Sequence, residues 1–245
     1  MERVVFRYLF EIDIVTMLAA PATIGRLAFV VLTSLWVFSP LFAPSLQAQE
    51  LPAELTREQV LIGLEHDDED VRRGAYVALR SLGLKEDLPL LFIALYDDDP
   101  LIRRLAENAI WEIWGRSGNA LHDRMYQRGV EMMRSGLYSG AIRSFTALIQ
   151  LAPDFTEAWN KRATLYFIVG EDDRSIADCE EVLVREPNHF GALSGYGQLM
   201  LRKREYQRAL GYFERALTVN PNLVGVSENI DAIRRTLEKG DGNEV

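Results

Sequence analysis

The chain has 245 residues, of which 48% are hydrophobic and 26% charged, with a formal net charge of −9. This is ordinary globular composition, enough for one elongated or two small domains with a sizeable core. An acidic chain without a basic block is a poor match for nucleic acid or an anionic membrane surface, and a single cysteine, Cys179, excludes both an intramolecular disulfide and a thiolate metal cluster.

The N-terminal segment reads as a secretory leader. Arg26 precedes the apolar run Leu27 to Ala43, which Pro40 interrupts, and no charge appears again before Glu50. Ser45-Leu46-Gln47-Ala48 supplies a small-residue exit. The expectation is a signal peptide over 1–48, with translation beginning at Met17 or residues 1–16 extending the leader. The alternative is an uncleaved anchor over 27–43, because the uncharged stretch is about long enough to span a bilayer of ~30 Å. Either way the remainder is exported, as a periplasmic or secreted protein or one tethered by that anchor.

Residues 49–118 carry a faint repeat with an offset of 31. Asp67-Asp68 is echoed by Asp98-Asp99, Val71 by Ile102, Arg72 by Arg103, Ala75 by Ala106, Ala78 by Ala109 and Leu79 by Ile110. An acid before an apolar helical run is a helix start, favoured by capping and by the helix dipole. Leu51-Pro52 and Leu88-Pro89 bracket the units, and Pro100 fits a first helical turn. The β-branched residue is expected to face the core and the arginine to reach an acid of the neighbouring unit. The pattern resembles short HEAT-like helical repeats. Two such units must bury a face on something else. Trp111 and Trp114, spaced i, i+3, are read as the seam onto the first of the repeats that follow.

Those repeats are announced by Pro153, Pro187 and Pro221, 34 residues apart. The segment 122–155 carries Gly129, Gly136, Tyr138, Ala141 and Phe145. The segment 156–189 carries Trp159, Ala163, Tyr166 and Gly170. The segment 190–223 carries Gly197, Tyr206, Ala209, Phe213 and Ala216. Small residues at repeat positions 8 and 20 let two helices approach. Aromatics at 4, 11, 17 and 24 fill the space between repeats, and the proline stops the second helix. Cys179 occupies position 24 and reads as a buried apolar filler. A last helix from Leu223 to Glu238, with Val226, Ile230, Ile233 and Leu237 on one stripe, caps the array, and residues 223–245 form this cap and a tail.

A period of 34 with these residues resembles the tetratricopeptide repeat, a helix–turn–helix unit. The runs Glu107 to Trp114, Ala158 to Tyr166 and Glu186 to Gly195 further resemble small exported tetratricopeptide proteins of Gram-negative bacteria. The implied fold is all-α: a right-handed α-solenoid of three repeat hairpins within 119–222, a HEAT-like segment before it and the capping helix after it. The resemblance also places positions 2, 5, 9 and 12 of each first helix on a concave, partner-binding face. Positions 5, 9 and 12 here are Tyr126, Val130 and Met133, then Asn160, Thr164 and Phe167, then Ser194, Gln198 and Leu201. Chaperone co-factors of this class grip a C-terminal carboxylate with lysine and asparagine at positions 5 and 9 of their first repeat. Tyr126 and Val130 stand there instead, so that clamp is not expected. Asn160 is read either as the central hydrogen-bonding residue of the groove or as a bond across to the next repeat.

Position 7, commonly an apolar core position, is Arg128 in the first repeat and Arg162 in the second. A buried arginine requires a partner, and Glu131 or Asp178 are the candidates. No catalytic, cofactor or metal constellation emerges. His66, His122 and His189 lack zinc spacing, and the acidic run after His66 lacks the glycine and ligand spacing of a calcium loop. Leu193-Ser194-Gly195 fails as a nucleophile elbow, since Ala192 stands where the first glycine belongs. Arg202, Lys203 and Arg204 read as a solvated corner. The functional expectation is a non-catalytic scaffold for a protein or peptide partner of unknown identity, without nucleic acid, cofactor or metal, and without membrane unless the leader is retained. The alternative is a structural or assembly subunit whose groove is filled by its own chain or a second copy. A third reading is an enzyme accessory factor.

Overall fold

The computed structural model of the protein describes residues 55–241, and the expectations for residues 1–54 and for the last four residues of the tail lie outside it. Among the described residues there are eleven α-helices and no strand. The first four form two hairpins: α1 (Arg57–Gly63) with α2 (Glu69–Leu82), and α3 (Leu88–Ala94) with α4 (Pro100–Trp114). Three further hairpins follow, α5 (Ala120–Arg134) with α6 (Tyr138–Leu151), α7 (Thr156–Val169) with α8 (Asp172–Arg185), and α9 (Phe190–Arg202) with α10 (Tyr206–Val219). Helix α11 (Val224–Asp241) closes the order.

Local chemistry explains where these helices begin. Thr56 and Gln59 form a reciprocal capping box at α1. The Asp68 carboxylate accepts from Asp70 and Val71 amides at the start of α2, and the Asp99 carboxylate accepts from the Leu101 amide at α4. Both acids leave the following helix with its first donors satisfied. The 31-residue echo extends to the arginines. Arg72 donates to the carbonyls of His66 and Asp67, and Arg103 to those of Asp97 and Asp98, so each arginine ties down its own preceding turn. The bond between units is made one residue later, by Arg73 to Asp99 at 2.9 Å. Ile102 is buried as expected, but Val71 is 43% exposed. The hairpin of α1 and α2 stands at the described end of the array, where no other described residue covers its outer positions.

The 34-residue period is written into the backbone. Gly136, Gly170 and Arg204, at position 15 of each repeat, all adopt positive φ, at 72°, 82° and 61°. At each, the following amide bonds back five residues: Leu137 to Met132, Glu171 to Tyr166 and Glu205 to Met200, at 2.8–2.9 Å. This left-handed closure turns the first helix into the second without leaving carbonyls unpaired. Gly129 at position 8 faces Phe145 at position 24, and Gly197 faces Phe213, so closely that an added Cβ would lie 2.7 and 2.6 Å from the ring carbons. The middle repeat reaches the same fit differently, with Ala163 at position 8 and the smaller Cys179 at position 24, both buried.

Position 7 separates the three repeats. Arg162 makes two bonds to Asp178, at 2.7 and 2.8 Å, and a third to Thr146 of the preceding repeat, at 3.0 Å. This is the pair expected from the sequence. Tyr196, at the equivalent position, likewise reaches back to Glu180 at 2.9 Å and stacks on Tyr212. Arg128 differs from the expectation: it is exposed and pairs with neither Glu131 nor Asp178. Position 7 looks toward the preceding repeat, and the first repeat has none at its side.

Three apolar clusters form the interior. One fills the first two hairpins, around Leu79, Leu91, Ile102 and Ile110, and takes in Phe190 at the start of α9, with Val219 and Leu223 packed against it. A second joins the first two tetratricopeptide-like hairpins around Phe145 and Leu165, and a third joins α8 to α11 around Leu199, Phe213 and Ile230. Val226, Ile230 and Ile233 are buried, with Leu237 packed beside them, which is the apolar stripe expected of the cap. The tryptophan seam is located differently from the expectation. Trp111 and Trp114 do not meet the first repeat; they pack on His189 and Phe190, where the second repeat passes into the third. The short turn from Gly115 to Asn119 lets α4 swing past α5, and it allows Gly118 a φ of 78°.

Candidate functional site

Helices α7 and α9 are the first helices of consecutive repeats and lie beside one another. Two zones share this face. One is the row at positions 9 and 12, formed by Thr164 and Phe167 on α7 and Gln198 and Leu201 on α9, with Ser194 at position 5. All five are partly exposed. The Arg202 guanidinium lies 3.6 Å from the Phe167 ring centroid and bonds to the Phe167 carbonyl and to Asp172. Thr164 returns its hydroxyl to the Asn160 carbonyl of its own helix. The row therefore presents an aromatic ring, an aliphatic side chain and neutral hydrogen-bonding groups on rigid helices.

The other zone is buried. At position 2 of the second repeat Glu157 is wholly enclosed, and so is His189 at the end of that repeat. Glu157 Oε2 lies 2.9 Å from His189 Nε2, and Glu157 Oε1 accepts from Asn160 at 3.0 Å and meets Lys161 Nζ at 3.2 Å. His189 Nδ1 accepts from the Ala192 amide at 3.1 Å, which caps α9. That acceptor role puts the ring proton on Nε2, facing the carboxylate. Burial pushes the Glu157 carboxyl up, but Lys161, His189 and Asn160 prevail and hold it below the ordinary glutamate value. Trp114 stacks on His189, and Trp111 stands edge-on to His189 and Phe190 with Lys161 5.4 Å over its ring.

Chemically this second zone is a lock. Both imidazole nitrogens are engaged, so His189 has no lone pair for a substrate. The only thiol is also withdrawn: Cys179 is buried and its pKa is pushed up to about 12 by burial and by the carboxylates of Asp178 and Glu180. A thiolate is the nucleophilic form, so Cys179 is inert.

The nine sequence-derived site residues divide between groups. Tyr126, Val130 and Met133 lie in the core, the first against Phe145 and Phe155. Asn160 is buried and donates to Glu157 within its own helix, rather than to the next repeat. Thr164, Phe167, Ser194, Gln198 and Leu201 remain partly exposed, and of these Phe167 and Leu201 pack against the same apolar cluster. Sequence reasoning missed Glu157 and His189. Their signal was present in the spacing, since positions 2 and 34 of one repeat lie at the same end of the hairpin, but a polar residue at a helix start reads as solvated.

A family model of the tetratricopeptide repeat matches residues 126–189 and 170–223. The chain is 32% identical over 154 residues to a TPR repeat-containing protein of Rhizobium etli, covering 62% of this chain and 76% of that protein. It is 25% identical over 131 residues to an FK506-binding protein-like protein of Mus musculus, covering 50% of this chain and 38% of the relative. Against Hsp70-Hsp90 organizing protein 1 of Glycine max it is 26% identical over 119 residues, covering 49% and 20%. It thus spans well under half of these last two relatives. Among solved structures, the first TPR domain of Spaghetti (RPAP3) bound to an HSP90 peptide aligns with a TM-score of 0.46 at 20% identity, over 48% of this chain and 93% of that one. The Yersinia enterocolitica chaperone SycD with a peptide of the translocator YopD aligns at 0.46 and 18%, over 48% and 95%.

Proposed function

The chain belongs to the tetratricopeptide repeat family, whose members mediate protein–protein interaction, and from that premise we propose a non-catalytic scaffold that holds a segment of a partner protein along the inner face of repeats two and three. The observation that carries the reading is the partly exposed row Thr164, Phe167, Ser194, Gln198 and Leu201, set on two packed helices. Such a row offers apolar anchors with neutral donors and acceptors, which suits a segment held by side-chain burial and backbone bonds. It carries no lysine and asparagine clamp for a C-terminal carboxylate. The test is Phe167→Ala with Leu201→Ala, measured for helicity by circular dichroism and for partner capture. Retained helicity with undiminished capture contradicts it.

A specific observation favours a second reading, an assembly subunit whose groove is closed by its own chain. Trp111 lies against Gly191, at position 2 of the third repeat, so α4 already covers one lip of the inner face. The proposal includes an extracytoplasmic site of action, periplasmic or secreted, and rests there on the leader-like pattern from Arg26 to Ala48.

A further inference from the structure

We propose that the outer face of α3, with the end of α10 and the turn before α9 beside it, is a docking site for a partner segment whose bulky apolar side chains are flanked by lysine or arginine. Helix α3 reads Leu-Pro-Leu-Leu-Phe-Ile-Ala and holds no polar side chain. A helix that is apolar all round belongs in an interior. Here only Leu88, Leu91 and Ala94 are buried, while Ile93 is 72% exposed and Tyr96, just past the helix end, 56%. Phe92, Ile93 and Tyr96 line an open groove of about 420 Å³ together with Asn188, Thr218 and Val219. Single exposed apolar residues carry no message, but a contiguous apolar groove marks an interaction site.

The groove is built on fixed elements. Phe92 packs on Trp114, ring centroids 6.2 Å apart, and with Val219 lies against the apolar cluster of the first two hairpins. The Tyr96 hydroxyl donates to the Thr218 carbonyl, and Asn222 Nδ2 donates to the Leu95 carbonyl at 2.8 Å, so the two walls are tied to each other. Walls already in place spare a partner the cost of ordering them.

Charge selects the occupant. No charged side chain lines the groove. Asp97 and Asp98 follow Tyr96, and Glu186 stands two residues before Asn188, so all three Cα atoms lie within about 7 Å of the Cα of a lining residue. The carboxylates of Asp98 and Glu186 have no hydrogen bond or ion pair among the described residues, and that of Asp97 accepts only the Asp99 amide. Neighbouring bases are engaged elsewhere. Arg103 donates to the Asp97 and Asp98 carbonyls and to Asn222, and Arg185 to the Pro153 carbonyl and Glu181. Unpaired acids beside an apolar groove, on a chain of net charge −9, attract a cationic segment and repel an acidic one.

None of the lining residues belongs to the inner row, so the two proposals fail separately. The test titrates full-length protein into a labelled peptide, followed by fluorescence anisotropy. The probe is a short peptide with Leu-Phe between pairs of lysines. One control carries Ala-Ala for Leu-Phe, and the other carries glutamates for the lysines. The probe should bind saturably, and each control about tenfold or more weakly. Ile93→Asp should weaken the probe about tenfold although it makes the protein more acidic, because docking would bury the new carboxylate against apolar groups. Should that variant lose helicity by circular dichroism, Ile93→Ala removes the anchor without adding charge and must show a smaller loss in the same direction. Asp98→Asn with Glu186→Gln should weaken binding and flatten its dependence on salt. Phe167→Ala with Leu201→Ala should change nothing. Absence of saturable binding overturns the proposal, and so does undiminished binding by the Ile93 variants, since net charge alone then attracts the probe. Equal binding of the glutamate peptide, or loss of binding in the inner-row variant, overturns it as well. A concentration-dependent wild-type dimer that Ile93→Asp breaks would also overturn it, because the occupant would then be a second copy.

Discussion

Trp114 and His189 stack face to face although they stand 75 positions apart in the chain, and Glu157 fixes the far side of the imidazole at 2.9 Å. The contact joins the hairpins that precede the repeats to the junction of repeats two and three. It makes a continuous unit of helices that the period alone divides into two kinds.

Acid should loosen this lock only as pH falls below the ordinary glutamate range. The Glu157 carboxyl is held below its ordinary value, so the folded state binds its proton less readily than the unfolded chain does. Its contribution to stability is then complete above the ordinary glutamate range and falls away as pH drops through the folded value. Chemical denaturation followed from pH 7 downward should show a steep loss in the wild type. The loss attributable to this site should be absent from Glu157→Gln, which is weaker at neutral pH but flatter. Parallel curves for the two proteins would refute the assignment.

The Arg162–Asp178 pair is nearly buried, with 13% and 5% of the two side chains exposed. Removing one member leaves the other without its partner, a loss on the order of 3–5 kcal/mol. Arg162→Ala should lower Tm clearly, and Arg162→Lys should recover only part, because lysine lacks the fork that makes two bonds. An unchanged Tm would mean that the pair contributes nothing.

Positions 8 and 24 should behave as a coupled pair. Gly129→Ala forces a methyl against the Phe145 ring, and overpacking of this kind costs about 1–3 kcal/mol. In the middle repeat Cys179→Phe should be similarly harmful, and Ala163→Gly should rescue it by recreating the arrangement of the outer repeats. A double-mutant cycle with no interaction energy would show that the two positions do not share one space.

Arg204 adopts φ 61° where the other repeats use glycine. The left-handed region costs a side-chain-bearing residue roughly 1–2 kcal/mol, offset in part by the larger entropy of an unfolded glycine. Arg204→Gly should stabilise by about 0.5–1 kcal/mol, read by denaturant titration. A destabilised variant would contradict the strain.

The repeats were legible because their determinants are local. Pro153, Pro187 and Pro221, the position 8 and 24 pairs and the turn at position 15 recur at fixed spacing, and each acts within one hairpin or on its neighbour. The docking of α4 was not legible for the opposite reason. The i, i+3 spacing of Trp111 and Trp114 announces a seam, but which surface receives it depends on how the Gly115 to Asn119 turn directs the helix. Tyr126, Val130 and Met133 illustrate the same limit at the site. Their positions are those of a groove, yet at the first repeat that line is covered by packing on Phe145, Phe155 and the start of α7. Glu157 and His189 were hidden because a polar residue at a helix start carries no mark of burial.

The leader pattern makes its own forecast. N-terminal sequencing of the protein from its host should begin at Gln49 or within a few residues of it. A mature product that keeps Leu27 to Ala43 in the membrane fraction would identify an anchor instead.

The central claim, that a partner segment lies along repeats two and three, is tested most directly by site-specific photo-crosslinking in the host cell. A photoreactive side chain at Ser194 or Gln198, on the inner row, should give one discrete adduct with a second protein. The same group at Val184, 79% exposed on α8, should give none. Adducts from Val184 alone, or equal adducts from all three positions, would contradict the account.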